Sequence, residues 1–111
     1  MTNIKRIGLV GLALAPMLAN AADPDKPMTA RYGAILANNC FACHGPAGRS
    51  PGEIPSIDRL SGADIATAVK QFRSGERAST VMGRHAKGYS DADIDAIANY
   101  IAGLNNKGGA K

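Results

Sequence analysis

The sequence predicts an all-α domain of three main helices joined by two long loops. Three segments, beginning near residues 29, 61 and 90, carry apolar residues at the three- and four-residue spacing of a helix. The stretches between them are rich in glycine and proline or lack periodicity, which is typical of loops. No segment alternates apolar and polar residues as a half-buried strand would. Residues 22–111 are therefore expected to form one helical domain.

The helices have recognisable start and stop signals. The first is predicted from Thr29 as its N-cap into Cys40. The second and third open with a serine followed three residues later by an aspartate, the capping-box pattern, at Ser61 and Ser90. Gly75 is expected to end the second helix. The last is expected to end at Leu104 and to be followed by a fraying polar tail.

The first 21 residues are predicted to be a signal peptide. Lys5 and Arg6 precede an apolar run over residues 7–18, and Ala-Asn-Ala at residues 19–21 matches a cleavage site. The run is shorter than the roughly 20 residues of a membrane span, although an uncleaved anchor is the alternative. The mature protein is expected to be periplasmic and to lack a membrane span.

Removal of the signal peptide leaves a nearly balanced charge. Of 13 lysines and arginines, two leave with it, so that 11 remain against 9 acidic residues. This small excess does not indicate nucleic-acid binding, for which a strongly basic surface is expected. Four cations, Arg73, Arg77, Arg84 and Lys87, lie close together in the sequence. They form either a solvated face or a docking patch for an acidic partner.

The domain has few large apolar side chains with which to form a hydrophobic core. The whole chain has two phenylalanines, three tyrosines and no tryptophan. A domain of this size is marginal on buried area alone, and small exported domains usually need a covalent or metal-based staple. We therefore expect another group to supply part of the apolar centre.

The stretch CFACH holds the only two cysteines, Cys40 and Cys43, followed directly by His44. A disulfide would close a loop too short to constrain the unfolded chain much. A thioredoxin-like pair needs strands, and zinc needs a fourth ligand, for which His85 stands alone. C-x-x-C-H is the attachment signature of covalent haem, in which the thiols bind the porphyrin and the imidazole binds iron. One haem c is the favoured interpretation.

His44 leaves one axial position of the iron to be filled or left open. The candidates are Met28, Met82 and His85. Met28 precedes the first helix and is interpreted as a terminal residue. Met82 lies in the loop between the second and last helices, from which it could reach the opposite haem face, and is the predicted ligand. An open position would instead indicate a haem enzyme or a gas sensor.

The order of these features resembles the class I cytochromes c over Thr29 to Leu104. The resemblance implies a single-haem fold with three main helices and long loops around a covalent haem. It also implies that the first and last helices cross, with Gly33 and Leu36 against Tyr100 and Ile101. A proline carbonyl in this family binds the free nitrogen of the haem-ligating imidazole, and Pro55 is the best match.

A narrower resemblance rests on the sequence segments SGER, STVMGR and AKGYSD between residues 74 and 91. It is similar to the haem subunit of flavocytochrome c sulfide dehydrogenase, which receives electrons from an FAD-bearing subunit that oxidises sulfide. The resemblance implies an electron-accepting subunit that is not catalytic alone and passes electrons to a downstream acceptor. Many members have two haem domains, whereas this chain has one CxxCH. A free diffusible cytochrome carrier is the alternative.

Overall fold

A computed structural model of the chain describes residues 25–108. The predicted signal peptide, residues 1–21, and the side chain of Met28 lie outside the described part. Four helices occur in this range, α1 (Asp25–His44), α2 (Gly62–Ser74), α3 (Met82–Ala86) and α4 (Asp91–Gly108), and a short 3-10 turn spans Pro46–Gly48. Residues 25–108 contain no strand, which confirms the all-α prediction. No helix in this range is long and apolar enough to cross a membrane.

The predicted caps of α2 and α4 form as expected. The Ser61 hydroxyl accepts a hydrogen bond from the Asp64 amide at 3.1 Å. At α4, the Asp93 amide donates to the Ser90 hydroxyl and the Ser90 amide donates to the Asp93 carboxylate, at 3.2 and 2.9 Å. Gly75 ends α2 in the left-handed conformation, with φ 83°. These local bonds satisfy helix-terminal groups and fix where the two helices begin and end.

Two helix boundaries differ from the prediction. Helix α1 begins at Asp25, ahead of Thr29, because a proline in the first turn, here Pro27, does not interrupt a helix whose first amides have no intrahelical partner. Helix α4 continues past Leu104 to Gly108 because residues 105–107 contain no glycine or proline to stop it.

Helix α3 was predicted as irregular chain. It has only five residues and no side-chain cap at its N-cap residue, Val81. The Ser79 hydroxyl accepts a hydrogen bond from the Gly83 amide at 2.7 Å, and Ala86 is fully buried. So short a helix is not stable by itself, so contacts with the rest of the domain hold it in place.

Helix α4 lies at the centre of the domain. It packs against α1 and α2, whereas no Cα atom of α1 comes within 8 Å of one in α2. The buried apolar residues of the described chain are all alanine or isoleucine: Ala37, Ile65, Ala86, Ile94, Ile97, Ala98 and Ile101. The protein core is therefore built of small and aliphatic side chains, as the composition predicts.

The crossing of α1 and α4 depends on a glycine. A Cβ atom at Gly33 would lie 2.5 Å from the Ala96 carbonyl oxygen and 3.1 Å from the Tyr100 Cβ. Leu36 packs against the cluster that contains Ile101. The predicted contact between the first and last helices is therefore confirmed. It fixes the position of α1, which carries CFACH at its end.

Candidate functional site

The CFACH segment forms the last turn and a half of α1. Cys40 and Cys43 are three residues apart and therefore share one face of the helix. They are not joined to each other, and burial raises the pKa of the Cys40 thiol. Among the described residues, no group of three or more His, Cys, Asp or Glu side chains could hold a metal ion.

The imidazole of His44 is fixed by the loop that follows it. Its Nδ1 lies 2.5 Å from the carbonyl oxygen of Pro55. A carbonyl oxygen can only accept, so Nδ1 carries the proton and donates it to this bond. In the neutral ring this tautomer has its lone pair on Nε2, which is the form of histidine that binds a metal ion. The bond also orients the ring and increases its donor strength.

The position of the Pro55 carbonyl is set by the way this loop is closed. The Gly48 carbonyl accepts hydrogen bonds from the amides of Ile57 and Asp58 at 2.8 and 3.1 Å. The largely buried carboxylate of Asp58 also pairs with Arg49 at 3.1 Å. Gly48 adopts φ 81°, and a Cβ there would lie 2.7 Å from Ile57 Cγ1. These bonds hold residues 49–57 as a closed loop that returns to His44.

Met82 belongs to a different part of the domain. It is the first residue of α3 and is half-buried. Helix α3 packs against α2, and none of its Cα atoms lies within 8 Å of one in α1. The structure thus brings His44 and Pro55 into contact but keeps His44 and Met82 on separate elements. His85, the rival ligand, is exposed, and its ring meets Tyr89 edge-on at 5.6 Å between centroids.

The residues present fit a covalent haem. Two free thiols share a helix face beside an imidazole whose Nδ1 is bonded to the Pro55 carbonyl, so that Nε2 is the nitrogen left to bind iron. Apolar side chains from the two flanking loops, Ile54, Leu60 and Val81, are exposed by 43, 39 and 66%. A porphyrin is a large apolar group that such side chains can cover.

Comparison with known proteins agrees with this chemistry. Residues 30–105 match the family model for cytochrome c. The chain belongs to the cytochrome c family. It is 45% identical over 107 residues to the cytochrome subunit of sulfide dehydrogenase from Chlorobaculum tepidum, an alignment that covers 86% of this chain and 97% of that protein.

Two other relatives are more distant. Cytochrome c-553 from Helicobacter pylori is 37% identical over 71 residues, covering 62% of this chain and 74% of that protein. The thiosulfate dehydrogenase electron acceptor of Stutzerimonas stutzeri is 33% identical over 72 residues, covering 61% of this chain but only 33% of that protein. All three matches extend over more than half of this chain.

As a cytochrome c, the chain carries haem c, with Cys40 and Cys43 as the two attachment thiols. When bound, this group supplies a one-electron couple between two states of its iron. The chain's contribution is to bind the group, exclude water from it and set its potential through ligands and burial. The protein is an electron-transfer cytochrome.

Sequence reasoning missed the residues that close the loop around Pro55. Gly48 and Asp58 are ten positions apart, and neither stands in a recognisable motif. The only signal was the density of glycine and proline between residues 45 and 55, which indicates special backbone conformations without saying which groups they join.

Proposed function

We propose that this chain is the electron-accepting cytochrome subunit of a flavocytochrome c sulfide dehydrogenase. One observation carries the proposal: the match to the cytochrome subunit from Chlorobaculum tepidum spans 97% of that protein at 45% identity. A match of such length leaves little of either chain outside the alignment. The FAD-bearing partner would oxidise sulfide, and this chain would accept the electrons one at a time and pass them to a downstream acceptor. The chain alone would catalyse no reaction.

The proposed axial ligands of the iron are His44 and Met82. The hydrogen bond from His44 Nδ1 to the Pro55 carbonyl supports ligation through Nε2. Met82 stands at the start of α3, away from α1 but packed through α2 into the same domain. A thioether ligand raises the reduction potential relative to a second imidazole. With both positions filled, no small substrate could reach the metal.

The chain is proposed to act in the periplasm. Residues 1–21 would be removed as a signal peptide, leaving a single cytochrome domain of residues 22–111. Attachment of haem c to two reduced thiols after export suits an enzyme system that oxidises sulfide outside the cytoplasm. N-terminal sequencing of the native protein should give a first residue near Ala22.

A free diffusible carrier is the second candidate. The match to cytochrome c-553, a protein named as a cytochrome rather than as a subunit, favours it. The two candidates share the same haem site and differ only in how long the chain stays with its electron donor. A carrier should bind its partners weakly and lose them as salt screens the charges.

Gentle purification from the native periplasm separates the two candidates. Fractions should be followed by haem c absorbance and assayed for flavin and for reduction by sulfide. Haem that elutes with a larger flavin-bearing chain and is reduced by sulfide would support the subunit. Haem that elutes alone as a small monomer, and is not reduced by sulfide, would contradict it and favour the free carrier.

A further inference from the structure

A groove of about 390 Å³ lies between the C-terminal end of α2 and helix α3. Four cations line it, Arg73, Arg77, Arg84 and Lys87, together with the hydroxyl-bearing residues Ser74, Ser79 and Thr80. None of the described residues that line the groove is acidic. The four cations that are close in sequence are therefore brought to one surface.

The charge of the domain is concentrated at this groove. Residues 29–108 contain nine lysines and arginines and seven acidic residues. Four of the nine cations, but only one of the seven acidic residues, fall between residues 73 and 87. Without this segment the balance over residues 29–108 would be slightly negative. The groove therefore presents a positive surface on an otherwise nearly neutral domain.

Three of the four cations are available to a partner. Arg73 is occupied, because it pairs with Asp91 and donates to the Tyr89 carbonyl at 3.0 Å. Arg77 lies over the ring of Phe72 at 5.4 Å, a contact that orients its guanidinium without neutralising it. Within the described residues, the ion pairs involve none of Arg77, Arg84 and Lys87.

The size of the groove favours carboxylate side chains of a protein over one small anion. Its lining extends from Phe72 to Lys87 and includes four cations on the chain segments at the end of α2 and in α3. A single tetrahedral oxyanion would touch only part of the lining. Several carboxylates on one surface could bind the separate cations together, and guanidinium groups bind carboxylates through two parallel hydrogen bonds.

We propose that this groove docks a cluster of aspartate and glutamate side chains on the protein with which the chain exchanges electrons. The inference rests on the proposed function. Helix α3, which forms one wall, begins with Met82, so a partner seated there lies beside the segment that carries the proposed sixth ligand. Complementary charge raises the rate of encounter and orients the two proteins.

Binding of hexaglutamate peptide to the haem-loaded mature chain tests this proposal. Peptide would be titrated at low salt, with backbone amide shifts recorded by NMR. The test variant is R77Q/R84Q/K87Q, and the control R31Q/R59Q/K107Q removes three exposed cations outside the groove. We expect shifts at residues 73–87, about tenfold weaker binding in the test variant and about twofold in the control, since each exposed ion pair contributes modestly and three are removed together.

Equal weakening in both variants would overturn the proposal, because it would indicate a response to net charge alone. Inorganic phosphate that displaces the peptide at equal ionic strength would also overturn it and assign the groove to small anions. If the triple variant has an altered haem spectrum, R84Q/K87Q takes its place, with an expected weakening of about fivefold. Peptide binding requires no electron transfer, so failure here is distinguishable from failure of the sulfide reduction that tests the proposed function.

Discussion

The segments that carry the two proposed axial ligands, His44 and Met82, are built differently. His44 ends a 20-residue helix, and its ring is bonded to a loop that is itself closed by hydrogen bonds to Gly48. Met82 begins a five-residue helix that is preceded by the exposed segment 74–81. The first side is fixed by the protein alone. The second consists of short elements that gain little stability from their own hydrogen bonds.

This difference indicates that the His44 segment and the Met82 segment contribute differently to the stability of the protein. An imidazole fixed by the Pro55 carbonyl would keep its position when the iron changes oxidation state, if His44 is the ligand as proposed. If Met82 binds the iron as proposed, it would owe more of its position to that bond and to the burial of Ala86, because its segment is less firmly held. Weakening the His44 side should therefore lower global stability, whereas weakening the Met82 side should increase local opening.

Replacing Gly48 with alanine should give the largest effect, because it disrupts the His44 side. The new Cβ would meet Ile57 Cγ1 at 2.7 Å in a backbone with φ 81°, and we expect a loss of about 2 kcal/mol in the free energy of unfolding. Urea unfolding followed by haem absorbance measures it. Gly52→Ala in the same loop is the control, since a Cβ there has no atom within 4 Å. Equal stability of the two variants would mean that closure at Gly48 does not hold the loop.

The contact between α1 and α4 also positions His44, because His44 is the last residue of α1. Gly33→Ala places a Cβ 2.5 Å from the Ala96 carbonyl oxygen, which should cost about 2 kcal/mol, less the roughly 1 kcal/mol gained from the better helix propensity of alanine. Gly103→Ala, also inside a helix but with open space around it, should gain up to about 1 kcal/mol. Thermal unfolding of the pair measures the contrast. A stabilised Gly33→Ala protein would contradict the close approach.

The Met82 side can be weakened by removing the Ser79 hydroxyl. Ser79→Ala leaves the Gly83 amide without its 2.7 Å acceptor and should cost about 1 kcal/mol, as loss of a helix cap does. We expect faster hydrogen exchange over residues 79–87 with little change in the urea midpoint. Thr67→Ala, at an exposed position within α2, serves as the control. A full loss of global stability in Ser79→Ala would show that the two sides are not distinct.

The smallest expected effect is a pH dependence at the start of α4. The Tyr32 hydroxyl donates to Asp93 at 2.5 Å, and this bond lowers the pKa of Asp93 and raises that of Tyr32. The stabilisation should be complete between the ordinary ranges of aspartate and tyrosine, roughly pH 5 to 9. It should be lost as the pH falls through the lowered pKa of Asp93 or rises through the raised pKa of Tyr32.

Urea midpoints of wild type and Tyr32→Phe over this pH range test the expectation. The difference between them should be largest near neutrality and shrink at both extremes. Tyr100→Phe is the control, since no hydrogen bond of the Tyr100 hydroxyl is found within residues 29–108. A difference for Tyr32→Phe that is constant with pH would contradict the coupling to Asp93.

Much of the fold could be predicted because its signals are local. Each of these signals involves residues only a few positions apart, so it can be read directly from the sequence. They are the capping boxes at Ser61 and Ser90 and the C-terminal glycine of α2, Gly75. Helix α3 could not be predicted, since a helix of five residues depends on tertiary packing, here against α2, and on the burial of Ala86. The predicted start of α1 at Thr29 was wrong because Pro27 is compatible with the first turn of a helix, so the helix begins at Asp25.

The features of the candidate site also differ in whether local sequence predicts them. CFACH is contiguous and identified the haem chemistry by itself. The Pro55 carbonyl could be named only through a family resemblance, because its approach to His44 depends on closure of the loop by Gly48 and Asp58. The four cations near Met82 were visible as a cluster, but their placement around one groove follows from the packing of α3 on α2.

The most direct test of the proposed electron-transfer site is carbon monoxide binding by the reduced, haem-loaded protein, compared with Met82→Ala. If His44 and Met82 both bind the iron, wild type should show no CO spectrum under conditions where the variant binds CO, and the variant should have a lower reduction potential. His85→Ala should behave as wild type in both measurements. Wild-type protein that binds CO as readily as Met82→Ala would contradict the closed site and favour a haem enzyme or gas sensor.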